Sequence, residues 1–204
     1  SISKPRKVLV LVPSGPALDV VISLLIQYLD SNDILIDGGN TNPNVSFENH
    51  QTIKSKNLLY LGMGVSGGVK GVLEGPSIMI GGDTSAFDQV KNIFSQITSK
   101  TINGSKSFEF FGDSNQGHFV KMIHNGIEYV EMQLISSIYY LMINSKKYIY
   151  EDVAKIFKNW NDIDLNSYLL EISLLKLTEK IDDGYLLDRI DDKADDNGTG
   201  RWML

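Results

Sequence analysis

The sequence predicts an α/β fold in which part of a Rossmann-type doubly wound sheet is followed by an all-α domain. In the first half of the chain, short β-branched and leucine runs alternate with segments of helical spacing. Glycine clusters follow several of these runs, at the position where the functional loops of a parallel sheet lie. In the second half, the apolar stretches are too long for single strands. Strands that alternate with helices indicate βαβ units and a mostly parallel sheet.

The short apolar runs are predicted to be buried parallel strands, because helices cover both faces of such strands. Residues 8–12 form the first run, between Pro5-Arg-Lys7 and Pro13-Ser-Gly-Pro16. The further predicted strands are residues 34–36, 58–61, 78–80 and 108–111, and the predicted helices are residues 17–29 and 85–98.

The pattern changes near Asp113. Residues 115–145 contain no proline and only two glycines, so one long helix is predicted there. Further helices are predicted over residues 150–160, 165–178 and 186–194. The predicted organisation is therefore an α/β domain over residues 1–112 and an all-α domain over residues 113–204.

Composition narrows the classes of function. The 204 residues are 42% apolar and 22% charged, as expected of a globular chain with a sizeable core. With no cysteine and three histidines, we expect no disulfide framework and no metal site, and a reducing cytoplasmic compartment. The net charge of -6 argues against nucleic acid as a partner. No apolar run reaches the roughly 18 to 20 residues of a membrane span.

A polar stripe runs along the predicted long helix. Lys121, His124, Asn125 and Glu128 are spaced i, i+3, i+4 and i+7, so they project from one face over two turns. The rest of the helix is nearly all apolar, which predicts a buried helix. Two interpretations remain open: the stripe faces a polar substrate in a cleft, or it is the solvent face of an ordinary amphipathic helix.

Two glycine clusters favour the cleft. Gly62-Met-Gly-Val-Ser-Gly-Gly68 follows a predicted strand and is interpreted as a loop whose backbone amides, with the Ser66 hydroxyl, cradle a phosphate or carboxylate. Asp37-Gly-Gly-Asn40 follows another strand. Each cluster alone could be a plain glycine turn. Together with the stripe, they suit the converging loops of a doubly wound fold.

These segments resemble those of the 6-phosphogluconate dehydrogenase family in order and spacing. The similarity runs from about Lys4 to Trp202. The segments that carry it are Ile36-Asp-Gly-Gly-Asn40, Gly64-Val-Ser-Gly-Gly68, Gly75-Pro-Ser-Ile-Met79 with Gly81-Gly82, Gly117-His-Phe-Val-Lys-Met-Ile-His-Asn-Gly-Ile-Glu-Tyr129, Met132-Gln-Leu134 and Gly198-Thr-Gly-Arg-Trp202.

The resemblance implies oxidative decarboxylation of 6-phosphogluconate to ribulose 5-phosphate and carbon dioxide, with reduction of NADP, in the pentose phosphate pathway. It also implies a homodimer. Residues 1–112 would be the C-terminal part of the NADP-binding domain, and residues 113–204 the start of the helical substrate and dimerisation domain.

Site residues follow from the same resemblance. Lys121 would be the general base, with a pKa that burial in the cleft is expected to depress, and Glu128 would be the acid that protonates the enediol carbon. Asn40 would lie between cofactor and substrate. The positions that correspond to substrate-binding residues are Ser66, Gly67, Gly68, His124, Asn125, Tyr129 at the phosphate, and Thr199.

The chain departs from the family pattern at several places. The Gly-x-Gly-x-x-Gly turn and the basic cluster for the NADP 2'-phosphate do not occur, Pro13 replaces a lysine, and Asn197 stands where a phosphate-binding lysine is expected. The family also continues beyond Leu204. Either the chain is a fragment of an ordinary enzyme, or it is a short, degenerate relative that acts as a dimerisation or scaffold remnant. The open apolar sheet edge expected here favours the fragment.

Overall fold

A computed structural model describes residues 2–101, 103–191, 193 and 198–203. The chain forms two compact units, which are Ser1–Asn125 with Asn197–Leu204, and Gly126–Asp196. In the part of the chain that the structure describes, no helix has the length and apolar character needed to cross a membrane.

The first unit contains a five-stranded sheet, so the predicted fold class is confirmed. The strand order follows the chain, and three of the four strand pairs are parallel, while β3 and β4 are antiparallel. The strands are β1 (Lys7–Val10), β2 (Ile34–Asp37), β3 (Leu59–Ser66), β4 (Ser77–Gly82) and β5 (Phe108–Phe110). Each strand overlaps one of the predicted runs.

Four helices connect these strands. Two of them correspond to predicted helices, and the second and third were not predicted. The helices are α1 (Pro16–Leu25), α2 (Pro43–Lys54), α3 (Gly68–Glu74) and α4 (Thr84–Ile97). At the start of α2, the Asn42 side chain accepts a hydrogen bond from the Asn44 amide, and Pro43 occupies the first turn, where no intrahelical amide is needed.

The predicted loop over residues 62–68 is wrong for most of its length, because β3 extends to Ser66. Gly62 and Gly64 are paired residues of the β3–β4 ladder, and only Gly67 and Gly68 form the turn into α3. Glycine in the interior of a strand marks a close approach of another backbone or side chain instead of a turn. That approach is made by the next helix.

Helix α5 (Gln116–Asn144) begins directly on the surface of β3 and β4. A Cβ atom on Gly117 would lie 2.3 Å from the Gly62 carbonyl oxygen and 2.6 Å from the Gly81 amide nitrogen. A Cβ atom on Gly81 would lie 2.5 Å from the Gly117 amide nitrogen. The first turn of α5 therefore packs backbone against backbone, which only glycine permits at these positions.

The core of the first unit has a layer on each face of the sheet. One layer packs α4 against the strands, and the other packs α1 and α2. The first layer contains Ile34, Ile36, Leu61, Met63, Ile78, Ile80, Ala86, Val90 and Phe94, and the second contains Val10, Leu18, Ile22, Leu35, Ile53, Leu58 and Tyr60.

The second unit contains the rest of α5 with α6 (Tyr150–Asp162), α7 (Tyr168–Leu177) and a short hairpin of β6 (Lys180–Ile181) and β7 (Gly184–Tyr185). Its buried core consists of Val153, Phe157, Leu170 and Leu177. The predicted helix over residues 186–194 is wrong where the chain is described, because only one 3-10 turn, Leu186–Arg189, forms. Arg189 pairs with Asp182 at 2.9 Å, which holds this turn to the hairpin.

The prediction that the apolar surface of α5 is buried is wrong for several of its residues. Its polar stripe is half-buried, whereas several apolar residues are well exposed. Within the second unit, α6 and α7 cover only the α5 side that carries Ile135, Ile138 and Met142. The exposed apolar residues of α5 are Phe119, Ile127, Val130, Met132, Leu134, Tyr140 and Leu141.

We expect Gly117→Ala to destabilise the first unit by about 1–3 kcal/mol or more, because the new methyl group meets three backbone atoms that cannot rotate away. Urea unfolding followed by circular dichroism measures this free energy. Gly184→Ala is the matched control, since its Cβ would have no atom nearer than Arg189 Nη2 at 4.0 Å. Equal midpoints for the two variants would contradict the packing described.

Candidate active site

Helix α5 runs along β3 in the same direction, and successive polar residues of the helix meet alternate residues of the strand. Gly62 lies against the His118 ring, Gly64 against Lys121, and Ser66 against His124. Alternate strand residues share one face, and helix residues three apart share one face, so the two periods match here. Two predicted site segments are thereby brought together.

Lys121 is half-buried and crosses the backbone of β3 at Gly64. A Cβ atom on Gly64 would lie 2.3 Å from Lys121 Cβ and 2.9 Å from Lys121 Cγ. Any side chain at Gly64 would therefore displace the stem of the lysine. Gly64 thus makes room for the stem of Lys121, which differs from the predicted role of this segment in donating backbone amides.

Ser66, His124 and Asn125 form one hydrogen-bonded group. Ser66 Oγ lies 3.2 Å from His124 Nε2, and His124 Nδ1 lies 3.1 Å from the Asn125 side-chain oxygen. Since an amide oxygen only accepts, Nδ1 carries the proton, and in the neutral ring Nε2 accepts from the Ser66 hydroxyl. The structure thus joins three residues that the resemblance assigned to substrate binding.

Gly67 and Gly68 form the turn between β3 and α3. Their φ angles of 139° and 51° lie in the region that favours glycine, and both residues are exposed. A Cβ atom on Gly67 would lie 2.8 Å from Gly71 Cα. The backbone amides of this turn are open to a ligand that approaches Ser66.

Asn40 and Thr199 meet although 159 residues separate them in sequence. The Asn40 side-chain amide donates to Thr199 Oγ1 at 2.7 Å, and Thr199 is fully buried. This contact brings the short 3-10 turn Thr199–Met203 to the carboxyl end of β2. Asn197, whose identity departs from the family pattern, lies outside the described residues.

A buried polar network that the sequence analysis missed lies behind Asn40. The Asp37 carboxylate accepts hydrogen bonds from the Gly39 amide at 3.0 Å, the Thr41 hydroxyl at 2.8 Å and the Tyr60 hydroxyl at 3.3 Å. Ser46 Oγ lies 3.0 Å from the Tyr60 hydroxyl. Burial raises the pKa of Tyr60 well above its usual value, and the charge of Asp37 adds to the effect.

His118 ends this network on α5. Its side chain is 2% exposed, and Nδ1 lies 2.8 Å from Ser46 Oγ. Burial lowers the pKa of His118, although the Asp37 charge and the backbone groups of Gly39 and Asp37 act in the opposite direction. The ring is therefore neutral at pH 7. The sequence signal that could have found it is the spacing of His118, Lys121 and His124 against alternate residues of a glycine-rich strand.

Glu128 and Tyr129 lie further along α5, in the second unit, and both are half-buried. Glu128 follows Lys121 by seven residues, or about 10 Å along a helix axis. Their assignment to catalysis and to phosphate binding stays a prediction.

In the first unit, an amine, an imidazole, a carboxamide, a hydroxyl and two exposed backbone amides lie around the end of β3. Such a set is rich in hydrogen-bond donors, which suits a polyhydroxylated anion. Among the described residues, no three or more His, Asp or Glu side chains are grouped as metal ligands.

The sequence of this chain matches two family models. Residues 1–105 match the NAD binding domain of 6-phosphogluconate dehydrogenase, and residues 117–204 match the C-terminal domain of 6-phosphogluconate dehydrogenase. The decarboxylating 6-phosphogluconate dehydrogenase of Staphylococcus aureus strain N315 is 42% identical over 205 residues, which are 99% of this chain and 43% of the relative. Similar figures hold for the Staphylococcus epidermidis protein. The chain thus spans less than half the length of these relatives.

The fold of the chain is also similar to those of solved structures. A structure of Plasmodium falciparum 6-phosphogluconate dehydrogenase, described in its apo form and in complex with its cofactor NADP+ and its substrate 6-phosphogluconate, is 42% identical, with a TM-score of 0.93. The match covers 98% of this chain and 43% of that one. A 3-hydroxyisobutyrate dehydrogenase from Mycobacterium tuberculosis, at 20% identity and a TM-score of 0.67, covers 79% of this chain and 52% of its own, and shares the fold.

We expect the free energy of unfolding to fall as the pH falls from 7 to 5, because of His118. Above about pH 6.5 the ring is neutral in both states, so it carries no pH-dependent penalty. Below that value the unfolded chain takes up a proton that the folded chain resists, which favours unfolding until the pH passes the lowered pKa of the folded state.

Urea titrations at pH 5 and 7, on the parent chain and on His118→Asn, measure this effect. The asparagine variant should lose part of the pH dependence. Carboxyl groups with lowered pKa values, such as Asp33 and Asp83, add their own acid sensitivity mainly below about pH 4. An unchanged difference between pH 7 and 5 in the variant would refute the assignment to His118.

Proposed function

The chain belongs to the 6-phosphogluconate dehydrogenase family, and we propose that it forms the part of such an enzyme that binds 6-phosphogluconate and supplies the general base. The observation that carries this proposal is the seating of Lys121 on Gly64, one helical turn from the hydrogen-bonded pair of His124 and Ser66. Residues that the family resemblance assigns to the substrate and to the base thus lie along one strand end.

In the proposed reaction, a neutral Lys121 amine accepts the proton of the substrate 3-hydroxyl while the C3 hydride leaves. NADP, when bound, supplies the hydride acceptor. The product is a β-keto acid, whose carboxylate leaves as carbon dioxide and leaves an electron pair delocalised onto the carbonyl oxygen. The ammonium group of Lys121 then stabilises this oxygen, and Glu128 donates a proton to the carbon that lost carbon dioxide. Ribulose 5-phosphate results.

Substrate positioning is assigned to polar groups at the end of β3. The amides of Gly67 and Gly68 offer donors to a carboxylate or hydroxyl group, and the hydrogen-bonded group of Ser66, His124 and Asn125 extends this row along α5. Thr199 holds the Asn40 amide in place from the other side. Tyr129 is proposed at the substrate phosphate.

The residues of this chain fit NADP only in part. Asn40, at the carboxyl end of β2, is a suitable contact between the cofactor and the substrate, since its amide is already oriented by Thr199. An exposed Pro13, however, replaces the lysine expected at the adenine side. No mechanistic step is therefore assigned to a cofactor contact.

A homodimer in the cytoplasm is the proposed setting. Several apolar residues of α5 are exposed, with Ile127 and Val130 more than 60% accessible, and a partner surface would bury them. The absence of cysteine suits a reducing compartment.

A second candidate function is a non-catalytic scaffold or dimerisation remnant. It is favoured by one observation, the replacement of two lysines of the family pattern by Pro13 and Asn197. It predicts that the chain does not bind 6-phosphogluconate, whereas the enzymatic proposal predicts binding at the end of β3.

We expect Lys121→Ala to lower turnover about 100- to 10,000-fold, which is the usual contribution of a general base, while the Kd for 6-phosphogluconate changes by only a few-fold. NADPH formation at 340 nm and isothermal titration calorimetry measure the two quantities. Lys91→Ala is the matched control, because Lys91 is exposed on α4 and pairs with Asp88 at 2.9 Å. Near-normal turnover of Lys121→Ala would overturn the mechanism, and a parent chain that binds no 6-phosphogluconate would favour the remnant.

A further inference from the structure

We propose that His118 is a positioning residue that, through Ser46, Tyr60 and Asp37, fixes the start of α5 relative to the turn that carries Asn40. Lys121 and Asn40 would then be held in one register by a single buried network. The inference rests on the proposed function, because it assigns His118 a role in orienting the proposed base.

His118 lies at the start of α5, close to Lys121. It is the third residue of the helix and precedes Lys121 by three residues, or about one turn. Its ring fills the space left by the missing side chain of Gly62, where a Cβ atom would lie 2.9 Å from His118 Nδ1. A rotation of α5 that moved Lys121 would therefore also move this ring against β3.

A series of hydrogen bonds connects the His118 ring to Asp37. His118 Nδ1 donates to Ser46 Oγ, the Ser46 hydroxyl donates to the Tyr60 oxygen, and the Tyr60 hydroxyl donates to the Asp37 carboxylate. This direction satisfies each hydroxyl and ends at the only group in the series that solely accepts. With Nδ1 as the donor, Nε2 of the neutral His118 ring carries no proton.

Asp37 fixes the backbone on both sides of Asn40. The carboxylate accepts from the Gly39 amide and the Thr41 hydroxyl, the residues on either side of Asn40. The Asp37 carboxylate therefore restrains the residues on both sides of Asn40. A displacement of about 1 Å between reacting groups can lower the rate about 100-fold. A network that fixes the positions of Lys121 and Asn40 can therefore affect the rate of the proposed reaction.

Three variants and one control test the proposal in the full chain. Ser46→Ala removes the connection while keeping His118, and His118→Leu removes it from the other side. His118→Asn retains a donor near the position of Nδ1 and serves as the conservative rescue. Phe94→Leu is the control for stability alone, because Phe94 is buried on the opposite face of the sheet and contacts none of the network.

The first readout is independent of activity. In 15N-resolved NMR spectra, Ser46→Ala and His118→Leu should shift both the Asn40 side-chain amide and the Lys121 backbone amide, while Phe94→Leu should leave both in place. His118→Asn should shift them less. If the Asn40 resonance does not respond to either variant, the proposed coupling is wrong, whether or not the chain is active.

The second readout is kinetic. Ser46→Ala and His118→Leu should lower kcat about tenfold or more, with a KM for 6-phosphogluconate within about threefold of the parent, and His118→Asn should recover most of kcat. A loss that Phe94→Leu reproduces at equal thermal stability would reduce His118 to a structural residue. Failure of the proposed function has a different signature, since the parent chain itself would then neither bind 6-phosphogluconate nor turn it over, while the NMR comparison still decides the coupling.

Discussion

The close approach of α5 to the β3–β4 ladder is the constraint on which the site depends. Four glycines create it: Gly62, Gly64 and Gly81 on the strands, and Gly117 on the helix. A Cβ atom at position 117 would lie 2.3 Å from the Gly62 carbonyl oxygen, so a methyl group there would push the helix away from the sheet. Lys121 and His124 would move with it. The glycines are therefore structural requirements for the row of donors, even though they contribute no side chain to it.

Hydrogen bonds allow a carboxylate to be buried beside the site. A carboxylate removed from water costs several kcal/mol unless hydrogen bonds replace its hydration, and Asp37 is fully buried with three donors around it. Two of these donors belong to the turn around Asn40, and the third leads towards α5. The hydrogen bonds that compensate for burial of the Asp37 charge thereby restrain the turn around Asn40 and, through Tyr60 and Ser46, the start of α5. These two segments are the two sides of the proposed substrate site.

The sequence predicted the sheet, the long helix and the polar stripe, because each rests on local periodicity. It misplaced the glycines of β3, since glycine serves both turns and close packing, and the sequence contains no signal that separates the two uses until the partner helix is known. It missed α2, where the apolar spacing is weak and the Asn42 cap provides the start. The hydrogen bonds that join Asp37, Tyr60 and His118 were also not predicted, because only tertiary folding brings these residues together, although the spacing of His118 on the helix is a signal for its position.

Apolar residues of α5 that were predicted to be buried are exposed in this chain, and a dimer partner is proposed to cover them. A 29-residue helix of this composition was expected to be buried, yet Ile127, Val130 and Leu134 remain more than half exposed. Such residues gain roughly 25 cal/mol for each Å² of apolar surface removed from water, so a partner surface that covers several of them contributes substantially to association. The polar stripe that includes Lys121 lies on the same helix. Burial of these apolar residues by a partner surface would therefore stabilise the helix to which the stripe belongs.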